Sequence, residues 1–451
     1  MRFRSSGLNK VAVSLVLLSG LCVGLVSCSS YDNSSSGGST GSGSAPSRTK
    51  FRAFISNTLH PTGSGTNLPA LEIMNATTDQ LVFSPIALQD PNSLPLPDVG
   101  PLDLAVNKKL TLAYSPTSNS FALVDNATEK QIISTASLPG PTESFFIAQD
   151  NLHAYAAVPT APILGQQPGA VIQIDLSNGN ISATLPVPHV RFIVQAEFGD
   201  VIVALSDKPG ATCPAGEATV ITASKIGTAT DPRSSPKCFD HPVGAALAPG
   251  QALIFECGPE CGGTASAITS LNLTDGSVGT PIPVKAATAG FIVGFTLYVA
   301  GTPLPPDNSC SASSPTTLAS TCGVLTILDL SGLNPTRTFT ITDGYHTRLQ
   351  LSADGQLFIG SKNCTNLTGP APGEIRGCLT IFDTTKSTTV FPALNGDVTG
   401  MAPISGRPVV YVIEGTELSV FDTTTDKPLP NHQTNIVGEL VDVKAVDNPV
   451  N

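Results

Sequence analysis

Short apolar segments separated by turn residues run along the chain from about residue 50 to its end. In Leu325–Asp329 and Leu379–Asp383 the first and third residues are apolar and the second is polar, which is the period of two expected of β-strands. Glycine and proline are abundant, at 41 and 38 residues, and both are typical of the turns between such segments. The pattern therefore predicts an all-β chain of many short strands.

Three phrases recur in the same order: an apolar strand, a strand that runs into a polar turn, and a third strand that ends in another turn. Strands of the first kind begin near eight positions, which are Phe51, Leu110, His153, Val201, Leu253, Leu297, Leu357 and Val409. Successive starts are 43 to 60 residues apart, which suits units of four short strands. Such units repeated around an axis form a β-propeller, so the repeat predicts one propeller of eight blades, or of seven if an irregular unit is an elaboration.

The two ends of the repeat predict how the ring closes. The repeat begins on what resembles a second strand, and it ends at Gly438–Asn448 on what resembles a first strand. The last strand can therefore pair with the first one and complete the first blade. Closure of this kind removes the exposed sheet edges that invite aggregation.

Two segments resemble a known repeat. Leu349–Gly355 (LQLSADG) and Leu379–Thr385 (LTIFDTT) are similar to the YVTN-type repeat of lactonase-like β-propellers. The resemblance implies the propeller fold. It also makes hydrolysis of a cyclic ester a function to consider, because lactonase-like sites use His, Arg and Glu side chains at the mouth of the central channel.

The N-terminal residues have the pattern of an export signal. A positively charged leader precedes Val11–Val26, an apolar stretch of sixteen residues. A membrane-spanning helix needs about 20 apolar residues, so this stretch is better explained as a signal than as a permanent anchor. Residues 25–28 read LVSC, which resembles the lipobox of bacterial lipoproteins. In that family the cysteine, here Cys28, receives lipid and becomes the first residue; the alternative is an ordinary unmodified cysteine.

These features predict three regions: a lipoprotein signal peptide at 1–27, a lipidated cysteine with a flexible Ser/Gly tether at 28–47, and the propeller at 48–451. The predicted location is the bacterial cell envelope, with the membrane as a partner through acyl chains on Cys28. Ser29 follows the cysteine, whereas an aspartate there would favour the inner membrane in enteric-type lipoproteins. We therefore favour the outer membrane or the cell surface.

Cysteine usage agrees with export. Removing Cys22 with the signal and assigning Cys28 to lipid leaves eight of the ten cysteines, an even number that favours disulfides. The predicted pairs are sequential: Cys213–Cys238, Cys257–Cys261, Cys310–Cys322 and Cys364–Cys378. A zinc site would need a second Cys or His pair beside Cys257 and Cys261, and none is near, so no metal is predicted.

Composition excludes several classes of partner. The net charge is −11 and no clustered basic surface is evident, which disfavours nucleic acid. The chain has no tryptophan, which excludes the WD dipeptide of WD40 blades and disfavours a quinone cofactor held by tryptophan-docked blades. Common catalytic motifs of hydrolases, metalloproteases and nucleotide-binding proteins are missing from the sequence. We predict no cofactor.

The loops that lead into each blade's first strand predict a candidate site at the channel mouth. When the repeats are aligned, several charged or ionisable residues fall at equivalent positions in these loops, to within about one residue. They are Asp103, Glu143, His189, Arg191, His241, His346, Arg348, Asp397 and Glu439. Such a ring could bind an anionic ligand, hold a metal or transfer protons. The alternative is that a wet channel mouth is polar without having any function.

The sequence favours a binding or interaction module over an enzyme, since its loops are long and it shows no recognisable set of catalytic residues. The ligand would be a protein or a small molecule on the loop-bearing face, and the protein is expected to be a monomer. One alternative is a lactonase-like hydrolase that would use His189, Arg191, His346, Arg348 and Glu439. Another is a purely structural role in the envelope.

Overall fold

The structure is a computed structural model, and it describes residues 46–47, 49–61, 67–89, 103–196, 199–210, 212–303, 323–332, 334–365, 367–368, 375–393, 396–430 and 436–447. The predicted signal peptide, Cys28, most of the tether and the Cys310–Cys322 pair lie outside these residues. Ser42–Asn451 forms one compact unit. Within the described ranges, no helix is both long and apolar enough to cross a membrane.

Eight antiparallel sheets of four strands make up the described fold, and each is one blade. From the innermost strand outwards, blade 1 contains β34 (Leu440–Ala445), β1 (Arg52–Pro61), β2 (Asn67–Asn75) and β3 (Gln80–Ala87). Blade 2 contains β4 (Leu104–Val106), β5 (Leu110–Ser115), β6 (Ser120–Asp125) and β7 (Lys130–Ser134). Blade 3 contains β8 (Ser144–Ile147), β9 (His153–Val158), β10 (Ala170–Asp175) and β11 (Ile181–Pro186). Blade 4 contains β12 (Val190–Gln195), β13 (Val201–Ser206), β14 (Glu217–Thr222) and β15 (Lys237–Cys238).

The second half of the ring repeats this arrangement. Blade 5 contains β16 (Pro242–Ala248), β17 (Gln251–Glu256), β18 (Ala267–Asn272) and β19 (Ile282–Pro283). Blade 6 contains β20 (Ala289–Val293), β21 (Thr296–Gly301), β22 (Gly323–Asp329) and β23 (Asn334–Ile341). Blade 7 contains β24 (Tyr345–Leu351), β25 (Gln356–Lys362), β28 (Leu379–Asp383) and β29 (Thr388–Val390). Blade 8 contains β30 (Val398–Pro403), β31 (Val409–Glu414), β32 (Glu417–Asp422) and β33 (Lys427–Pro428). The loops also contain a hairpin of β26 (Leu367–Thr368) and β27 (Ile375–Arg376). Short 3₁₀ turns lie at Ala223–Lys225 and Gly258–Cys261.

The innermost strands form a closed ring. Each contacts the innermost strand of the next blade, and β34 contacts both β30 and β4. β34 pairs antiparallel with β1, with Ala445 opposite Ala53 and Val443 opposite Ile55. The predicted eight-bladed propeller, closed by its N- and C-terminal strands, is therefore confirmed.

Both faces of the middle strands are covered by neighbouring blades. All six residues of β31 are buried, and so are all five residues of β28. Thr380, a polar position of the alternating pattern, is fully buried, and its hydroxyl oxygen accepts a hydrogen bond from the backbone N–H of Thr342. The period of two therefore marks a strand here but does not mark a solvent-facing side.

Three disulfides brace one face of the ring. Cys213–Cys238, Cys257–Cys261 and Cys364–Cys378 are formed, which confirms the three predicted pairs that fall within the described residues. Five of their six cysteines lie where a second strand ends or a third strand begins, and Cys238 ends the fourth strand of blade 4, at the same face. Because adjacent strands are antiparallel, the innermost strands start on this same face, which we call the loop face. The bridges restrict the freedom of its long loops.

Candidate functional site

A cavity of about 410 Å³ occupies the central channel at the loop face. Residues of the innermost strands β4, β8, β12, β16, β20, β24 and β34 line it, so seven of the eight blades contribute. Two side chains reach it from second strands: Phe255 of β17 and Lys362 of β25. Pockets at such convergence points, with a few polar groups on a rigid frame, are the usual sites of ligand binding.

The nine predicted site residues share one level of the fold. Six lie directly before an innermost strand: Asp103, Glu143, His189, His241, Asp397 and Glu439. The other three, Arg191, His346 and Arg348, lie within the first four residues of β12 or β24. Only four of the nine line the cavity: Asp103, Glu143, His346 and Arg348. The shared register therefore places all nine near the mouth but brings only part of the set together.

Arg348 is the central cation of the cavity. Its Nη2 donates to Asp103 Oδ1 at 3.3 Å and lies 3.7 Å from Asp442 Oδ2. The completely buried Asp442 accepts hydrogen bonds from the backbone N–H of Leu104 and from Lys444 Nζ, at 3.1 and 2.9 Å. The charge of Asp442 raises the pKa of Arg348, which therefore stays protonated. Burial lowers the pKa of Lys444, against the opposing effect of Asp442.

A second charge cluster lies at the rim. Arg191 Nε donates to Glu143 Oε2 at 2.5 Å, and Arg191 Nη1 donates to Asp207 Oδ2. One guanidinium is thus shared between two carboxylates, and the cluster keeps one negative charge. Tyr345 stands on the opposite side of the mouth, in blade 7, and is 40% exposed.

His346 does not present a charge to the cavity. Its side chain is fully buried, and Nε2 lies 3.0 Å from the carbonyl oxygen of Thr342. Burial lowers the pKa of His346 to about 4, so the ring is neutral at neutral pH and donates to that carbonyl from Nε2. This histidine is mainly part of the packing beneath the mouth.

The remaining predicted residues lie in the turns that lead into the innermost strands. His189 and His241 have φ values of 50° and 53°, a left-handed conformation that histidine tolerates better than most residues. Asp397 Oδ1 accepts a hydrogen bond from the backbone N–H of Asn363 at 2.7 Å. The exposed Glu439 contacts the hydroxyl of Thr58 at 3.4 Å. None of these four lines the cavity as described.

Sequence reasoning missed three charged residues near the mouth. Asp442 lies in the middle of β34, Asp207 follows β13, and Lys362 ends β25 directly across from Tyr345. Among the described residues, Lys362 Nζ has no hydrogen-bond or ion-pair partner. The one available signal was Asp442, a carboxylate inside a strand whose other residues, apart from Lys444, are apolar.

Two glycines admit an aromatic ring to the cavity wall. A Cβ atom on Gly290 would lie 2.4 Å from Phe255 Cζ, and one on Gly244 would lie 3.2 Å from its Cδ2. The ring of Phe255 therefore fills the seam between blades 5 and 6 because both innermost strands lack a side chain there. Phe145 and Phe192 add further apolar surface to the lining.

Comparison with solved structures supports the fold. Dihydro-heme d1 dehydrogenase NirN, solved in complex with DHE, aligns with a TM-score of 0.57 and 13% identity over 90% of this chain and 76% of its own. Apo AztD from Citrobacter koseri aligns with a TM-score of 0.53 and 11% identity over 89% of this chain and 99% of its own. No protein-family model and no curated protein sequence matches the chain. At these identities the likeness extends to the β-propeller fold alone.

Proposed function

We propose that this protein is a lipid-anchored component of the bacterial cell envelope whose propeller binds a small molecule in the channel-mouth cavity. The observation that carries the proposal is the channel-mouth cavity, which seven blades line and which contains two incompletely partnered cations. Arg348 uses only Nη2 in its contacts, and Lys362 Nζ has no partner among the described residues. Polar groups that converge on a cavity with donors to spare favour a bound ligand.

Binding has more support than hydrolysis. A lactonase-like site would need an imidazole that reaches the substrate, but His346 is completely buried and bonded to a backbone carbonyl. His189 and His241 lie in turns outside the lining. NirN was solved with DHE bound, which gives a precedent for small-molecule binding by a protein of similar fold.

A thermal-shift screen of residues 47–451, which contain all eight blades, tests the binding proposal. The panel holds divalent metals, lactones, cell-wall fragments and oligosaccharides. A ligand at 100 times its dissociation constant stabilises a protein by about 2.7 kcal/mol, so a hit raises the melting temperature clearly. We expect Lys362→Gln to reduce the shift, whereas Arg337→Gln on the outer strand β23 leaves it unchanged. The proposal fails if every shift is the same in wild type and Lys362→Gln.

The lipid anchor is tested separately, because Cys28 lies outside the described residues. Cells that express the full-length protein are grown with an alkyne-tagged palmitate analogue, and the purified protein is examined for the tag. We expect tagging of the wild-type protein and its complete loss in Cys28→Ser, since the thiol is the attachment point that the lipobox resemblance implies. An untagged wild type, or a tagged Cys28→Ser variant, contradicts the anchor.

A further inference from the structure

The channel-mouth cavity has charges of opposite sign on opposite walls. Blade 7 contributes the cations Arg348 and Lys362, while blades 2 and 3 contribute the carboxylates Asp103 and Glu143. In a ring of eight, blade 3 lies directly opposite blade 7, and blade 2 is next to blade 3. The cavity is therefore bipolar across its width.

One loose ion pair joins these two walls, while the third lining carboxylate, Asp442 of blade 1, lies 3.7 Å from Arg348 and is paired with Lys444. Arg348 Nη2 and Asp103 Oδ1 are 3.3 Å apart, longer than the roughly 2.7–2.9 Å of a well-formed charged hydrogen bond. The side chains are 27% and 42% exposed, so water reaches both. The remaining donors of the guanidinium make no hydrogen bond or ion pair with the described residues. This pair can therefore open without breaking an optimised bond.

The loose pair discriminates between kinds of ligand. A simple anion that bound Arg348 would draw it from Asp103 and leave that carboxylate without its partner. A simple cation that bound Asp103 would draw it from Arg348, which would keep only its 3.7 Å contact with Asp442. An unpartnered charge in a partly desolvated site is costly, so each of these ligands loses part of what it gains. A ligand with both charges replaces both halves of the pair.

We propose that the cavity binds a zwitterion, a small molecule with an ammonium group and a carboxylate separated by a short apolar body. This inference rests on the proposed binding function and specifies its ligand class. The carboxylate is bound by Arg348 and Lys362 on blade 7, and the ammonium is bound by Asp103 and the rim carboxylate Glu143. The apolar body lies against Phe255 and its aromatic neighbours in the lining.

Three matched dipeptides test the proposal by isothermal titration calorimetry on the full-length protein in detergent. Alanyl-alanine carries both charges, its N-acetyl form carries only the carboxylate, and its C-terminal amide carries only the ammonium. We expect alanyl-alanine to bind with a dissociation constant of about 1 mM or below, and each blocked form to bind at least about tenfold more weakly. Equal binding of a blocked form, or no binding by alanyl-alanine, overturns the zwitterion proposal.

Single substitutions test which cavity residue binds each charged group of the dipeptide. We expect Asp103→Asn to weaken alanyl-alanine about tenfold, because the ammonium loses its partner, and to strengthen binding of the N-acetyl form, because Arg348 no longer has to leave a charged partner. Lys362→Gln, which replaces an ammonium that has no hydrogen-bond or ion-pair partner among the described residues, should weaken both forms that bear a carboxylate. Asp231→Asn and Arg337→Gln, at exposed positions in blade 4 and blade 6, are the matched controls and should change neither affinity.

The two proposals fail in different ways. If a panel compound stabilises the protein in a manner that depends on Lys362 but alanyl-alanine does not bind, the cavity remains a binding site and the zwitterion class is wrong. If no compound and no dipeptide depends on Lys362 or Asp103, both proposals are wrong.

Discussion

Replacing Arg407 with alanine should lower the free energy of unfolding by about 3–5 kcal/mol, the usual effect of removing one partner of a buried ion pair. Arg407 Nη2 donates to Asp79 Oδ2 at 2.7 Å, and Nη1 donates to Oδ1. Tyr411 donates its hydroxyl to the same Oδ1 at 2.5 Å. Because the Asp79 side chain is fully buried, the variant removes the guanidinium of Arg407 from a carboxylate that water does not reach.

Because this pair lies between two blades, its loss should lower the stability of the whole ring. Asp79 lies in the turn before β3 of blade 1, and Arg407 lies in the turn before β31 of blade 8, so the pair joins the two blades at which the ring closes. Burial, and then the contact with Asp79, raises the pKa of Tyr411, so its hydroxyl stays protonated and continues to donate.

Urea unfolding followed by circular dichroism measures the effect. Arg337→Ala is the matched control, because Arg337 is exposed and donates only to Ser387 Oγ among the described residues. The control should change stability by less than about 0.5 kcal/mol. If both variants behave alike, the buried pair does not hold the closure.

Replacing Glu414 with methionine should stabilise the protein, and most strongly at alkaline pH. Glu414 ends β31 and is 5% exposed, and neither carboxyl oxygen has a hydrogen-bond partner among the described residues. Burial raises the pKa of Glu414 to about 8, opposed by the nearby backbone N–H of Cys378. A methionine of similar length removes the ionisable group and keeps the packing.

The sign follows from proton linkage. The folded protein holds the Glu414 proton up to about pH 8, whereas the unfolded chain releases it near the ordinary glutamate pKa of 4.5. The folded state therefore binds more protons between these values, and the contribution of Glu414 to stability falls as pH rises. The advantage of Glu414→Met over wild type should grow by about 4 kcal/mol between roughly pH 5 and pH 9.

Denaturant unfolding at several pH values checks this result, with Glu417→Gln as the control. Glu417 lies opposite Glu414 in the same hairpin but is exposed, so its replacement should change stability by less than about 0.5 kcal/mol at each pH. A constant difference between Glu414→Met and wild type would show that Glu414 is ionised in the folded protein at all these pH values.

The fold could be predicted because blade formation is local. The period-two segments and their spacing mark four strands per unit, and the phase of the first and last segments marks the pairing of β1 with β34. The sequence could not show which polar positions of a strand face a neighbouring blade. Thr380 is an example: it lies in a clear alternating segment and is fully buried.

From the sequence, the candidate site could be predicted only as a set of equivalent positions at the start of each innermost strand. The position before each innermost strand is equivalent from blade to blade, and at this position Asp103 and Glu143 line the cavity. The same position is a tight turn in blades 4 and 5, where backbone conformation accounts for His189 and His241. Lys362 was missed because it reaches the mouth from a second strand, and its orientation depends on the pairing of β24 with β25.

Amide hydrogen exchange with and without alanyl-alanine tests the central claim, that the channel mouth is the ligand site, most directly. Exchange is followed by mass spectrometry on peptides from the whole propeller. We expect slower exchange in peptides that contain the starts of β4, β8 and β24, where Asp103, Glu143 and Arg348 lie. Protection confined to the Cys213–Cys238 or Cys364–Cys378 loops, with the starts of these strands unchanged, would contradict the claim.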